Sequence, residues 1–189
     1  MRAFRSTVVA AVLVMAGVLA GACGSAGTSS NSSTSSPSPT PTPSPAKVAS
    51  VDACSLVMVT EASTIAGTPV TNMAGASGVQ VPGACFYGSA DGKGSVLVFA
   101  QAFPDSTSAN AVSPQQIAAA MNGTYGVANA KTVSGIGDKA VEYNLTGAAS
   151  GGLVIFVVKS NVLFMIAVVP SPPDSTALEN LARTAAGRF

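Results

Sequence analysis

Three cysteines are the residues of this 189-residue chain whose positions could support covalent chemistry. Cys23 lies in the segment LAGACGSAG, directly after an apolar run, whereas Cys54 and Cys85 lie farther along the chain. A thiolate is a nucleophile that can accept a lipid, and two thiols in an exported protein can oxidise to a disulfide. The chain contains no histidine, which excludes Ser-His-Asp and Cys-His catalysis and most transition-metal sites.

The residues before Cys23 have the order of a secretory signal. Arg2 and Arg5 are basic, residues 7–22 carry no charge, and the segment ends in small side chains. The apolar core is shorter than the ~20 residues that a stable membrane span needs. We therefore predict that residues 1–22 are a signal peptide, with a retained transmembrane helix as the alternative.

The segment that contains Cys23 also resembles a bacterial lipobox, whose usual form is Leu-Ala-Gly/Ala-Cys. Here Ala20 occupies the place of the leucine, and Gly21 and Ala22 supply the small residues. In such signals a diacylglycerol is joined to the thiol, cleavage precedes the cysteine, and the new amino group can be acylated, for example with palmitate. Two or more chains anchor a protein stably, since each buried methylene contributes ~0.8 kcal/mol. We predict Cys23 as a lipid attachment site on the outer face of the cell membrane; the alternative is a stray cysteine beside an ordinary cleavage site.

Residues 23–50 consist almost entirely of Ser, Thr, Pro, Gly and Ala. Such a segment cannot bury enough apolar surface to offset its ordering entropy. We predict a lipidated cysteine followed by a disordered stalk, flexible in its Ser/Gly half and stiffer where Ser-Pro and Thr-Pro repeat. Residues 51–189 have the length of one ordinary domain.

The composition excludes several classes of function. Only 9% of residues are charged and the formal net charge is +1, so no basic patch indicates nucleic-acid binding. Residues 51–189 contain neither a Gly-x-Ser-x-Gly elbow nor a Ser-x-x-Lys pair. We expect no enzyme activity, no cofactor and no metal site.

The first half of the domain is predicted to contain one helix and one hairpin. Residues 59–66 have a helical pattern that ends at Gly67. Residues 68–83 are interpreted as a loop, and residues 91–94 as the turn of a hairpin. Residues 95–103 form a long strand that is apolar on both faces, which predicts a central strand covered on both sides.

The second half adds two helices and further hairpins. Ser113, Pro114 and Gln116 predict a capped helix start. Residues 132–145 are interpreted as strand, turn and strand, and residues 152–169 as two strands. A C-terminal helix follows, with Leu178, Leu181, Ala182, Ala185 and Phe189 toward the sheet. We therefore predict an α+β domain: a mainly antiparallel sheet of about five or six strands, two or three packed helices and one disulfide.

The pairing of Cys54 with Cys85 is the simplest use of two thiols in an exported domain. The alternative is a pair of metal ligands, although two thiols without histidine make a poor zinc site.

Aromatic residues on the predicted strands have two interpretations. The first is that they belong to the core. The second is that the helices cover only part of the sheet, so that the rings line an apolar groove for a lipid or a partner. The six residues are Phe86, Tyr87, Phe99, Tyr143, Phe156 and Phe164.

Two further patterns suggest chemistry only superficially. Residues 135–140 (GIGDKA) imitate a dinucleotide-binding loop, but such a loop must open a helix and here a strand is expected to follow. We predict a tight turn instead. Asp138 and Glu142 would lie roughly 13 Å apart on a strand, which is wide for glycosidase carboxylates and favours solvated surface charges.

Several of these motifs occur together in a known order. They are Asp52-Ala53-Cys54-Ser55-Leu56, Glu61, Gly67-Thr68-Pro69-Val70, Cys85-Phe86-Tyr87 and Gly135-Ile136-Gly137-Asp138-Lys139-Ala140. The stretch resembles a family of actinobacterial, mycobacterial-type envelope lipoproteins of unknown function, although Ala53 replaces the usual proline. The resemblance implies the lipid anchor and the Cys54–Cys85 bond, and it implies no reaction.

The sequence thus favours a membrane-anchored, non-enzymatic module that binds an envelope protein, glycan or lipid. The alternatives are a carrier or chaperone of an apolar envelope ligand, such as a lipid or glycolipid, and an enzyme that uses carboxylates only.

Overall fold

The computed structural model describes residues 50–73, 81–122, 126–147, 151–170 and 174–189. These residues belong to one compact unit, Val48–Phe189. The predictions for the signal peptide, for Cys23 and for the stalk before Ser50 lie outside the described residues.

Seven antiparallel strands form one sheet in the order β1-β2-β3-β7-β6-β5-β4 within the described residues. The strands are β1 Thr71–Asn72, β2 Ala84–Gly88, β3 Ser95–Ala102, β4 Val127–Thr132, β5 Lys139–Leu145, β6 Gly152–Lys159 and β7 Val162–Val169. The predicted α+β class and antiparallel sheet are confirmed. The predicted number of strands is too low because β1 has two residues, too few for a strand pattern in the sequence.

Five helices are described: α1 Ala53–Leu56, α2 Val59–Ala66, α3 Ser106–Ala111, α4 Pro114–Asn122 and α5 Ser175–Ala186. The predicted bounds of α2 and the Gly67 cap are confirmed. The Ser113–Gln116 capping box is confirmed as well, since each backbone N–H donates to the other side chain at 3.0 and 3.1 Å. The short helices α1 and α3 were not predicted, although Asp105 caps α3 by accepting from the Ser108 N–H at 2.7 Å.

Helices α1, α2 and α5 pack on the first face of the sheet. The core there contains β3, β6 and β7 side chains such as Val98, Ile155 and Ile166, all 0% exposed. From α5, Leu178, Leu181, Ala182 and Ala185 are buried as predicted. Phe189 lies beyond the helix and packs edge-on against Phe164 while remaining 38% exposed.

Helices α3 and α4 pack on the second face and cover only part of it. Met121 of α4 clusters with Tyr143, Val154 and Phe156 of β5 and β6. Ala109 of α3 packs against the end of the β6–β7 hairpin. Within the described residues, no helix packs on the second face of β1 and β2.

The Gly135–Asp138 segment is the tight turn that the sequence predicted. Gly137 has φ +59°, and a Cβ there would lie 2.5 Å from the Val158 carbonyl oxygen. The turn leads into β5 and not into a helix, so it lacks the strand-to-helix geometry that holds a dinucleotide. In the described part of the chain, no helix is both long and apolar enough to cross a bilayer.

Candidate functional site

An apolar band on the second face of the sheet is the candidate site, and we call it the open strip. It crosses β2, β3 and β7 and includes the residue that follows β1. Its members share a face and are all exposed or half-buried: Met73, Phe86, Leu97, Phe99, Met165 and Ala167.

The strand register places these side chains side by side. Leu97 of β3 lies opposite Phe86 on one side and opposite Ala167 on the other. Phe99 lies opposite Met165, and the Met73 N–H donates to the Phe86 carbonyl oxygen at 2.7 Å. Directly opposed residues of antiparallel strands point to the same face, so the strip is continuous from the edge of the sheet to β7.

The two faces of β3 differ sharply in exposure. Val96 and Val98 are 0% exposed on the first face, whereas Leu97 and Phe99 are half-buried on the second. β7 repeats the pattern, with Ile166 buried and Met165 half-buried. The prediction that β3 is covered on both sides is therefore wrong. Helices α3 and α4 pack on the other part of the second face, over β5, β6 and the hairpin end of β7.

Phe86 and Met73 are the most exposed members of the strip. Phe86 is 38% exposed and Met73 is 37% exposed. No charged residue lies on this face of β2, β3 or β7 within the described strands, where Ser95 and Gln101 are the polar members. The strip therefore offers dispersion and hydrophobic contact with no charge to attract an ionic ligand.

The six aromatic residues predicted for a groove do not share one surface. Phe86 and Phe99 lie in the open strip. Tyr143 and Phe156 are on the same face, but they pack edge-on with ring centroids 6.1 Å apart beneath α4. Tyr87 and Phe164 lie on the first face, 2% and 0% exposed, in the core. A ligand groove at the remaining rings stays a prediction.

Met73, Leu97, Met165 and Ala167 are members of the strip that were not singled out from the sequence. Leu97 was identified only as part of an apolar strand face. The signal that could have found the others is the antiparallel register, which puts Met165 opposite Phe99 and Ala167 opposite Leu97.

The predicted disulfide joins Cys54 of α1 to Cys85 of β2, with the two Cα atoms 5.0 Å apart. The Asn72 amide donates to both sulfur atoms at 3.5 Å. The Tyr87 hydroxyl donates to the Val57 carbonyl oxygen, so the disulfide and Tyr87 together fix α1 to the first face. The alternative of a metal-ligand pair is thereby overturned, since both sulfur atoms are engaged in the bond.

The two carboxylates considered in the sequence do not act together. Asp138 Oδ2 accepts from the Ser160 N–H at 2.7 Å and so supports the β6–β7 turn. Glu142 was expected in solvent but its side chain is 6% exposed, because α5 packs over that face of the sheet. Burial raises the pKa of Glu142, against the attraction of Lys131.

Lys131 is shared between two carboxylates on the first face. Its Nζ lies 2.6 Å from Glu179 Oε1 of α5 and 3.9 Å from Glu142 Oε1. Among the described groups, Glu142 Oε2 is buried without a hydrogen-bond partner. The arrangement is an ion pair between α5 and the sheet, in which the Lys131 side chain stays 53% exposed.

A shallow cleft of about 340 Å³ lies between α2 and α5, on the opposite side of the sheet from the strip. Its polar side chains are already engaged: the hydroxyls of Thr64 and Thr184 donate to backbone oxygens of their own helices, and Glu61 binds Arg188. The described residues contain no cluster of three or more metal-ligating side chains.

No protein-family model matches this chain, and no curated protein matches it either. Among solved structures, the chain is similar to the extracellular domain of PknH from Mycobacterium tuberculosis. The identity is 16%, the TM-score is 0.44, and the match covers 75% of this chain and 98% of that domain. These comparisons assign the chain to no family.

Proposed function

We propose that this chain is an exported, membrane-anchored module that binds an apolar component of the cell envelope and performs no catalysis. The observation that carries the proposal is the open strip. Phe86 and Met73 are 38% and 37% exposed at the β1 side of the sheet, next to further apolar side chains, and the largest apolar patch of a monomer is often a functional surface.

Export is supported by the disulfide between Cys54 and Cys85, since such bonds persist in oxidising compartments. The anchor is supported by the position of Cys23 after the apolar run and before the stalk. A fully flexible chain as long as residues 24–50 would have an end-to-end distance on the order of 30 Å, and the predicted stiffer Ser-Pro and Thr-Pro half would extend it. A lipid on Cys23 would therefore hold the domain within tens of ångströms of the bilayer.

A carrier or chaperone of an apolar ligand is the second candidate. The absence of charged side chains on the described strands of the strip favours it, because a chaperone for lipids or glycolipids needs an uncharged contact surface. A carboxylate enzyme has less support: Asp138 holds a turn and Glu142 is buried beneath α5.

The proposal is tested first at Cys23. Cells that express the full chain are grown with labelled palmitate, and the membrane and medium fractions are separated. We expect label and membrane retention for the wild type and the loss of both for Cys23→Ala. The matched control is the Cys54→Ala/Cys85→Ala double variant, which removes the other two cysteines but should keep the label. An unlabelled wild type, or a labelled Cys23→Ala, would refute the anchor.

A further inference from the structure

We infer that the open strip binds one acyl chain of a lipid in the membrane to which the domain is tethered. This inference rests on the proposed function, because the tether brings the strip close to the lipids. It names the occupant of the strip, which the sequence and the comparisons leave open.

The size of the strip argues against a protein occupant or a second copy of the chain. A fully exposed aromatic side chain presents about 150–250 Å², so Phe86 at 38%, Met73 at 37% and their half-buried neighbours present on the order of 300 Å² together. A stable interface takes roughly 800 Å² from each partner. The strip is therefore too small for a stable protein interface.

The chemistry of the strip suits a flexible hydrocarbon. The strip contains two phenylalanine rings and two methionine thioethers, and methionine adapts its shape to irregular apolar partners. β2, β3 and β7 carry no charged side chain on this face, so nothing in the strip would pair with an ionic headgroup. An acyl chain gains from such contact because each methylene removed from water contributes ~0.8 kcal/mol.

The two ends of the strip define the direction in which a bound acyl chain would lie. At its inner end, Met165 lies opposite Phe156, which is 6% exposed and belongs to the cluster beneath α4. At its outer end, Met73 and Phe86 lie at the β1 edge of the sheet. Four neighbouring strands span about 14 Å at ~4.8 Å each, so the chain would enter at the β1 edge and lie across β2, β3 and β7.

The test places a photo-crosslinker in the full chain in living cells. Phe86 or Phe189 is replaced by p-benzoylphenylalanine, the cells are irradiated, and the adducts are identified by mass spectrometry. The two phenylalanines form a matched pair because each is 38% exposed while Phe189 lies on the first face against Phe164. We expect lipid adducts at position 86 at least tenfold above those at position 189.

A second measurement uses the exported chain from residue 23 with Cys23→Ala, in buffer without detergent, and cis-parinaric acid as the fluorescent probe. We expect Phe86→Ser to weaken binding about five- to tenfold, from the loss of the contact between this exposed ring and the probe, and Phe189→Ser to leave it unchanged. If Phe86→Ser fails to fold, Met165→Gln takes its place.

Equal adduct yields at positions 86 and 189, protein adducts at position 86, or equal probe affinity in the two serine variants would overturn the inference. These results are distinguishable from failure of the anchor. An unlabelled Cys23 refutes the proposed function even if the probe binds the strip, whereas a labelled Cys23 with no lipid at position 86 refutes the acyl-chain inference alone.

Discussion

Arg188 and Glu61 form a bidentate ion pair that joins the two ends of the folded domain. Arg188 Nη1 lies 2.8 Å from Glu61 Oε2, and Nη2 lies 2.6 Å from Oε1. Arg188 also donates to the Leu56 carbonyl oxygen. One guanidinium therefore connects the segment after α5 to α1 and α2, and the planar fork of arginine is required for this geometry.

We expect Arg188→Lys to destabilise the fold, because an ammonium cannot make the paired bonds. The free energy of unfolding should fall by about 1–2 kcal/mol. This is near the lower part of the range measured for hydrogen bonds to charged groups, because both side chains stay partly exposed to solvent. Denaturant unfolding measures it. Arg183→Lys is the matched control: Arg183 is exposed and bonds Asn180 at 2.7 Å, and no change above a few tenths of a kcal/mol is expected there.

The same pair predicts a stability loss in acid. The Arg188 guanidinium holds the pKa of the Glu61 carboxyl below its ordinary value. The contribution of the ion pair to the free energy of unfolding is therefore fully present above the ordinary glutamate pKa of about 4.3. It is lost as the pH falls through the lowered pKa of the folded state. Stability of the wild type should fall more steeply than that of Glu61→Gln as the pH is lowered through this window. Parallel curves would contradict the assignment.

Glu142 predicts the opposite pH dependence. Burial raises its pKa, Lys131 lowers it and Glu179 raises it further. The pKa of Glu142 is therefore higher in the folded state than in the unfolded state. The stability contributed by the protonated carboxyl is fully present below the ordinary glutamate pKa and is lost as the pH rises through the folded-state pKa. Glu142→Gln should be at least as stable as the wild type at neutral pH. A loss of more than about 1 kcal/mol in that variant would show that the ionised pair with Lys131 stabilises the fold.

The disulfide between Cys54 and Cys85 closes a loop with a sequence separation of 31 residues. From the loop entropy of the unfolded chain, we expect reduction to cost about 3–4 kcal/mol. Urea unfolding with and without a reductant measures this difference. The Cys54→Ala/Cys85→Ala variant serves as the control because it should lose the response to reductant, and a response that persists would point to a different effect of the reagent.

Neighbouring residues on β7 test the asymmetry of the two faces. Ile166 is 0% exposed on the first face, and its replacement by alanine should cost about 2–5 kcal/mol. Met165 is half-buried in the open strip, so Met165→Ala should cost clearly less, about 1 kcal/mol. Chemical unfolding of the two variants compares them directly. Equal losses would mean that the second face is covered in solution.

The local elements of the fold were predictable because their signals are local. The Gly67 stop of α2, the Ser113–Gln116 capping box and the Ser160-Asn161 turn each depend on a few adjacent residues. The disulfide was predictable because only two thiols remain after Cys23. By contrast, β1 is too short to produce a pattern in the sequence.

The open strip and the burial of Glu142 were not predictable from periodicity. Val98 and Phe99 are both apolar, so the sequence pattern of β3 does not show which face is covered. The position at which α4 packs on the sheet determines which face stays exposed. Glu142 alternates with apolar residues as a solvent-facing side chain would, but α5 packs over it. Both outcomes depend on where distant helices dock.

The most direct test of the account is methyl NMR of the exported chain from residue 23 with Cys23→Ala, in the presence of stearic acid. Intermolecular NOEs, which reach only atoms in near contact, should connect the acyl methylenes to the methyl groups of Met73, Leu97, Met165 and Ala167, which face the open strip, and not to those of Ile166 and Val168 on the first face. Equal NOEs to both faces, or none to the strip, would contradict the central claim that the uncovered half of the sheet receives an acyl chain.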